Sequence, residues 1–263
     1  MRQIGLVLEN RFQGMALSAL AAFELANVEL GAKGYRMTLL SEHGGIVRST
    51  MGAGIETVAL GVMPDTLMVA GELVPQPVSA GLQAYVARAA TEARRVAGLC
   101  TGAFVLAQAG LLDGRTATTH WAHARALQSR YPKARVDDDR IYVQDGNIWT
   151  SAGMSAVIDL SLALIEEDHG AAVARTAARR LVVYHRRPGG QSQFSALLEL
   201  APRSDRVKRA LTYAREHLRN PLSVEELADA ARLSPRQFSR IFREETGQSP
   251  AKAVEQLRLE AAR

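Results

Sequence analysis

The sequence predicts an α/β unit built on a parallel sheet flanked by helices, followed by an all-α unit that holds a helix-turn-helix. Three observations predict it. Apolar runs of strand length alternate with helix-period stretches through the first 167 of the 263 residues, the pattern of a parallel sheet with helical crossovers. The stretch RRPGGQSQF, residues 186–194, then gathers chain breakers. From Ser223 onward, start, stop and turn signals coincide at helix-turn-helix spacing.

In chain order, Ile4–Leu8 is a buried apolar run, followed by a helical period over Leu17–Leu30. Tyr35–Leu40 and Thr66–Ala70 read as strands, and Val78–Ala93 reads as a helix leading into the strand Arg95–Leu99. Phe104–Ala109 is helical, Thr116–Thr119 short and extended, and Trp121–Arg130 helical again. Asp139–Gln144 and Ile148–Thr150 pair as a hairpin across Asp145-Gly146. Ser155–Glu166 is a strongly apolar helix, and Gly170–Tyr184 a basic one. These patterns divide the chain into residues 1–185, a linker over 186–203, and a helical domain over 204–263. There is no internal repeat and no low-complexity tract.

In the helical domain, Ser223 and Glu226 form an S-x-x-E capping box that opens one helix, whose apolar face is Leu227, Ala228 and Ala231. Leu233-Ser234 makes the turn, with Ser234 as N-cap and Pro235 at the first helical position, where its missing N–H costs nothing. The second helix runs to Thr246 and stops at Gly247. Phe238, Ile241 and Phe242 fall at i, i+3 and i+4 and face the core, which turns Arg236, Gln237, Ser239, Arg240 and Arg243 outward together. Such a face suits a major groove: Arg pairs bidentately with guanine, Gln with adenine, and Ser with a base or a phosphate. An ordinary helical hairpin with a solvated basic face is the plainer alternative.

The stretch LADAARLSPRQFSRIFREETGQSPAKAVEQLRLEAAR resembles the DNA-binding module of the AraC/XylS family of bacterial transcription regulators, over roughly 60 residues from Asp205. The resemblance implies that the second helix enters the major groove of a double-stranded operator, with Arg236, Ser239 and Arg240 as base readers. That family's module carries two such motifs joined by a long helix. The chain ends at Arg263, inside the stretch that corresponds to the joining helix.

Composition bounds the rest. With 47 % hydrophobic and 22 % charged residues, the chain is ordinary globular material of a length that suits two domains. Net charge is +5, and residues 200–263 hold 13 Lys/Arg against 9 Asp/Glu, a bias compatible with a polyanionic partner. Arg175, Arg179, Arg180, Arg186 and Arg187 crowd one further stretch. One cysteine rules out an internal disulfide framework and suits a reducing compartment. MRQIGLVLEN is too short an apolar run for a signal peptide. AGMSAVIDLSLALI is interrupted by Asp159 and falls short of a bilayer span. The expected location is the cytoplasm, with no membrane partner.

A second site centres on VAGLCTGAF, residues 96–104. Strand, turn and helix follow one another there, with glycines flanking the cysteine as Gly98-x-Cys100-x-Gly102. This is the cysteine form of a nucleophile elbow: small neighbours permit the strained turn, and the following helix N-terminus favours thiolate. His120 is expected at the end of the next strand, where it meets Cys100 at the same sheet edge. Cys100 as a small buried hydrophobe and His120 as a structural histidine are the alternatives. His120 and His123 stand at i, i+3, but no Cys or carboxylate completes a ligand set, so no metal is expected, and no cofactor. Asp137–Asp139 reads as a solvated run and Trp121 as packing.

VAGLCTGAFVLAQAGLLDGRTATTHW and IWTSAGMSAVIDLSLALIEED resemble the class I glutamine amidotransferase-like superfamily, which includes intracellular-protease-like proteins and isonitrile hydratases. The resemblance covers residues 1–167 and is strongest to the branch fused to AraC-type regulators, often called GlxA-type. It implies a flavodoxin-like parallel-sheet sandwich that dimerises through this domain. It also implies that enzymatic relatives hydrogen-bond the cysteine with a carboxylate donated just after the first strand. Here that region reads Gly14-Met15-Ala16-Leu17-Ser18-Ala19, with no acid; Glu9 falls too early and Glu24 too late. Ala122 stands two residues after His120, where glutamine-hydrolysing members carry Glu. Without an orienting third group, nucleophilic catalysis loses its support. The resulting expectation is a degenerate elbow at Cys100 and His120 with no catalytic residue. A small-molecule effector would be held by Cys100, Thr101, Gly102, His120, Glu9 and Met15, and would control operator binding by a homodimer. The alternatives are a Cys100/His120 hydrolase or hydratase, and a thiol-based redox sensor.

Overall fold

The computed structural model describes residues 1–31, 34–153, 155–183, 187–190, 193, 200 and 202–262. The chain separates into two compact units, Met1–Gln193 and Phe194–Arg263.

The first unit is an α/β sandwich. Its strands are β1 (Arg2–Val7), β2 (Tyr35–Ser41), β3 (Gly45–Arg48), β4 (Gly54–Ala59), β5 (Thr66–Ala70), β6 (Arg95–Leu99), β7 (Thr116–Ala117), β8 (Arg135–Val136), β9 (Tyr142–Asp145) and β10 (Ile148–Ser151). Its helices are α1 (Ser18–Leu30), α2 (Ala80–Glu92), α3 (Gly102–Gln108), α4 (Trp121–Arg130) and α5 (Ala156–Arg180), with a 3-10 turn at Gly14–Leu17. The main sheet runs in the order β3-β4-β2-β1-β5-β6-β10-β9. It is parallel except at its two edges, where β3 and β9 lie antiparallel to β4 and β10. β1, β5 and β6 are apolar on both faces because helices cover both sides. α1 and α5 cover one face, packing Ala19, Ala22, Phe23, Leu160 and Leu164 onto Ile4, Leu6, Met68 and Ala97. α2 and α3 cover the other, over Val7, Leu67, Val69 and Val96.

Arg95, 2 % exposed, ties α5 to the amino end of the sheet. Its guanidinium donates to Glu167 at 2.6 Å, to Asp168 at 2.7 Å and to Thr66. Arg94 also pairs with Asp168, and the Tyr35 hydroxyl donates to Asp168 at 3.0 Å. Burial and the Asp168 charge together push the Tyr35 phenol well above its ordinary range. Just beyond this cluster α5 breaks at Gly170 (φ 83°, ψ 166°), so the apolar and basic helices expected over 155–184 meet at a kink. Tyr184, the expected end of the second, lies outside the described residues, as do Arg186 and Phe194.

Four expectations need correction. β3 and β4 were not expected: they form a short, largely exposed edge hairpin in which only Val47, Thr57 and Ile55 turn inward, too few for an alternation to register. The β9–β10 turn falls at Gly146-Asn147, one residue later than expected, because Gly146 supplies the left-handed φ of 64° as first loop residue. β7 is no strand of the main sheet; it pairs with β8 in a separate two-stranded ribbon, and β10 takes the place beside β6. Part of the segment expected as linker belongs to the first unit. Arg187 donates to both carboxylate oxygens of buried Asp159, the Gly189 carbonyl accepts from Ile141, and Gln193 bonds Thr119.

The second unit holds α6 (Asp205–Glu216), α7 (Val224–Ala231), α8 (Pro235–Thr246) and α9 (Pro250–Ala262) around one core, which includes Val207, Leu211, Leu227, Ala228, Phe238, Phe242 and Leu257. The Ser223/Glu226 box caps α7, and a second box, Ser234 with Gln237, caps α8. Between the two helices Arg232 takes a left-handed φ of 54°, and Gly247 closes α8 at φ 74°. Among the described residues no helix is long and apolar enough to cross a membrane.

Candidate functional site

Cys100 sits at the carboxyl edge of the main sheet between β6 and α3, 7 % exposed, with a left-handed φ of 54°. A non-glycine residue held there is strained, as an elbow requires. The flanking glycines have a steric reason: a Cβ at Gly102 would overlap the Val69 carbonyl oxygen of the neighbouring strand. The expected geometry of strand, sharp turn and helix is therefore present.

One side chain aimed at the sulfur is Gln13, which sequence reasoning missed. Gln13 is 8 % exposed, and its Nε2 lies 3.8 Å from the Cys100 Sγ, 3.2 Å from the Thr101 Oγ1 and 3.3 Å from the Glu72 carbonyl. Thr101, 1 % exposed, spends its own hydroxyl proton on that carbonyl at 2.6 Å. The strap that carries Gln13 is pinned from both sides. Arg11, at φ 70°, donates its backbone N–H to the Arg48 carbonyl and pairs its guanidinium with the Glu72 carboxylate, while Phe12 is buried between Ser49 and Glu72. A Gln shortly after a first strand carries no signal in one sequence; only the fold brings it to the sulfur.

Two small cavities flank the elbow. One, of about 10 Å3, is lined by Gln13, Met15, Ala16, Gly71, Leu99, Cys100 and Val157. The other, of about 30 Å3, is lined by residues that include Glu9, Phe12, Glu72, Thr101 and Phe104. Met15 and Glu9 are thus both brought to the elbow, one to each cavity. Glu9 accepts from the Glu42 backbone N–H at 2.8 Å; burial raises its carboxyl above the ordinary 4.5, against that hydrogen bond.

His120 reaches this region by a different route from the one expected. It follows the small β7–β8 ribbon rather than a strand of the main sheet, and Thr119 fixes the segment by donating to the Cys100 carbonyl at 2.8 Å. His120 is the N-cap of α4, its Nδ1 accepting from the Ala122 N–H at 3.2 Å, and its ring packs on Gly153. Burial, with a smaller contribution from His123, lowers it below the ordinary 6.5, which favours the neutral ring that a cap needs. Gln193 closes over the same loop: its Nε2 donates to the Thr119 and Asp138 carbonyls, each at 2.9 Å, and its Oε1 accepts from the Trp121 N–H at 3.0 Å.

In the second unit the expected face forms. Phe238 and Phe242 are buried and Ile241 half-buried, and Arg236, Gln237, Arg240 and Arg243 are exposed with Ser239 half-buried beside them. Gln237 also serves the helix itself, because its Oε1 accepts from Ser234 as the closing half of the α8 capping box. Arg240 lies against Glu244, Nη1 to Oε1 at 3.0 Å. Ser239, Arg240, Arg243 and Glu244 line an open groove of about 730 Å3 together with Val224 and Ser249–Ala251.

Residues 7–167 match the DJ-1/PfpI family, and residues 215–253 match the bacterial regulatory helix-turn-helix proteins of the AraC family. The HTH-type transcriptional regulator CdhR of Pseudomonas aeruginosa is 33 % identical over 255 residues, which is 94 % of this chain and 74 % of that protein. The HTH-type transcriptional regulator GlxA of Rhizobium meliloti is 30 % identical over 269 residues, 100 % of this chain and 83 % of that protein. The crystal structure of an AraC family transcriptional regulator from Pseudomonas putida superposes with a TM-score of 0.63 at 24 % identity, covering 69 % of this chain and 100 % of that one. A parallel sheet with a cysteine elbow, a helix-turn-helix later in the chain and likeness to such regulators along nearly the whole of this chain agree: the chain belongs to the DJ-1/PfpI family and joins that domain to an AraC-family helix-turn-helix.

Proposed function

We propose that this chain is a sequence-specific DNA-binding transcription regulator controlled by a small effector held at the Cys100 elbow. One observation carries the reading: α8 buries Phe238 and Phe242 and presents Arg236, Ser239, Arg240 and Arg243 on a single exposed face. Arg236, Ser239 and Arg240 are its base readers, with Gln237 beside them. Arg243 meets the phosphate backbone. Residues 1–193 form the sensing and dimerising unit and 204–263 the reader. Such a protein acts in the cytoplasm, where bacterial DNA lies.

The elbow binds rather than catalyses. A nucleophilic thiol needs a base that takes its proton and a group that orients that base. Gln13 donates to the sulfur where a carboxylate would accept, and the His120 Nδ1 is occupied as a helix cap. Cys100, Thr101, Gly102, His120, Glu9 and Met15, joined by Gln13, line the effector site. The cavities as they stand admit water-sized groups, so an effector enters with movement of the half-exposed Met15. Its presence is passed on through Thr119, which touches the Cys100 carbonyl, to Gln193, the last residue of the first unit.

The test is selection of a duplex from a randomised pool, followed by binding with Arg240→Ala. Loss of about 1–3 kcal/mol confined to one base position is expected. Uniform weakening across all sequences would make Arg240 a phosphate contact, and failure to enrich any sequence would refute the reading. Small metabolites screened against the bound duplex must then shift its affinity. Turnover abolished by Cys100→Ser, in a chain that binds no duplex, would favour the hydrolase reading.

A further inference from the structure

We infer that Glu244 is a specificity-determining residue, which positions the Arg240 guanidinium for a base and keeps it off the phosphate backbone. The inference rests on the DNA-reading function proposed above. α8 ends with two adjacent acids, and their surroundings differ. Glu245 is structural, since its Oε2 accepts from the backbone N–H groups of Arg203 and Ser204 at 3.0 and 2.9 Å and so joins the start of α6 to α8. Glu244 is exposed on the reading side, in the groove with Ser239, Arg240 and Arg243, and its hydrogen bonds run to Arg240.

Helix stability does not account for a Glu there. A carboxylate in the last turn faces the negative end of the helix dipole, and an exposed i, i+4 pair offsets little of that. On a surface that approaches DNA, the same carboxylate competes with phosphates for Arg240, and an Arg–phosphate contact is what non-specific binding relies on. A group that suppresses indiscriminate binding raises the ratio of specific to non-specific affinity.

The geometry shows how it does so without blocking readout. Both Glu244 oxygens are approached by one nitrogen, Arg240 Nη1, at 3.0 and 3.4 Å. Nε and Nη2 are left as a two-donor edge, and a two-donor edge is what guanine N7 and O6 accept. Held at Nη1, the guanidinium keeps one orientation; released, it is a long flexible cation free to follow phosphates. Glu244 is therefore a positioning residue acting through Arg240.

The experiment uses the full chain, the duplex selected from a randomised pool and a random-sequence duplex, with binding followed by fluorescence anisotropy over a KCl series. Glu244→Gln keeps size and helix propensity and removes the charge. It is expected to bind the random duplex several-fold more tightly, with a salt slope steeper by about 0.9 as Arg240 gains a phosphate. It should also relax base preference at the position that Arg240→Ala relaxes. The double variant should match Arg240→Ala in that preference, because one residue acts through the other. Unchanged preference in Glu244→Gln overturns the inference, as does relaxation at a different base pair, which would make Glu244 a direct reader of cytosine. A wild-type chain that selects no duplex refutes the DNA-reading function itself, a separate outcome.

Discussion

Gln13 and Cys100 meet at the elbow of the first unit. An N–H donor 3.8 Å from sulfur favours thiolate weakly and at every pH, whereas a carboxylate there would repel the thiolate when ionised and donate to it only when protonated. Gln13→Ala is therefore expected to slow alkylation of Cys100 by iodoacetamide at neutral pH, by lowering the thiolate fraction. The pH dependence of that rate is the measurement, and a rate equal to wild type would mean that the amide serves Thr101 and Glu72 alone. The Gly98-x-Cys100-x-Gly102 spacing was legible as an elbow because close packing of Gly98 on the Ala103 backbone and of Gly102 on the Val69 carbonyl each demand a residue without a Cβ. Gln13 was not legible. Its role comes from Arg11, Phe12 and Ser49 pinning a loop across three strands, and no local pattern records such a contact.

At the scale of elements, α4 turns on the single residue that caps it. His120 caps the helix with a ring nitrogen that must be unprotonated to accept the Ala122 N–H. Its folded-state pKa is lowered below the ordinary 6.5, so the unfolded chain binds the proton more readily. Stability from this group is fully present above pH 6.5 and declines as pH falls below it. Urea unfolding at stepped pH should show that decline, and His120→Asn, which caps without titrating, should remove part of it. His169 is also lowered, chiefly by burial, so the comparison is between variant and wild type, and His169 contributes to the slope that remains. An identical slope in both would end the assignment. The α4 bounds, Trp121–Arg130, were legible from period and composition, as were the α7 and α8 caps, because capping chemistry is local. The placement of β7 was not: a short extended stretch reads the same whether it joins the main sheet or a two-stranded ribbon.

For the whole molecule, the division at Gln193 and Phe194 has a thermodynamic consequence. The first unit buries apolar side chains on both faces of an eight-stranded sheet, while the second has a single small core centred on Phe238 and Phe242. Smaller domains bury a smaller fraction of their surface and are closer to marginal stability. Scanning calorimetry is therefore expected to resolve two transitions, with the reader unit melting first. Two substitutions assign them. Arg232 holds a left-handed φ at the turn between α7 and α8, a conformation that costs a non-glycine residue about 1 kcal/mol. Arg232→Gly should raise the lower transition by about 4–8 °C and leave the upper one in place. Gly102→Ala, which drives a methyl group into the Val69 carbonyl, should lower only the upper. If both substitutions instead moved one shared transition, the two units would be unfolding as a single body. Any signal from the elbow would then travel through a common core rather than through the segment that Asp159 and Thr119 hold at Arg187 and Gln193.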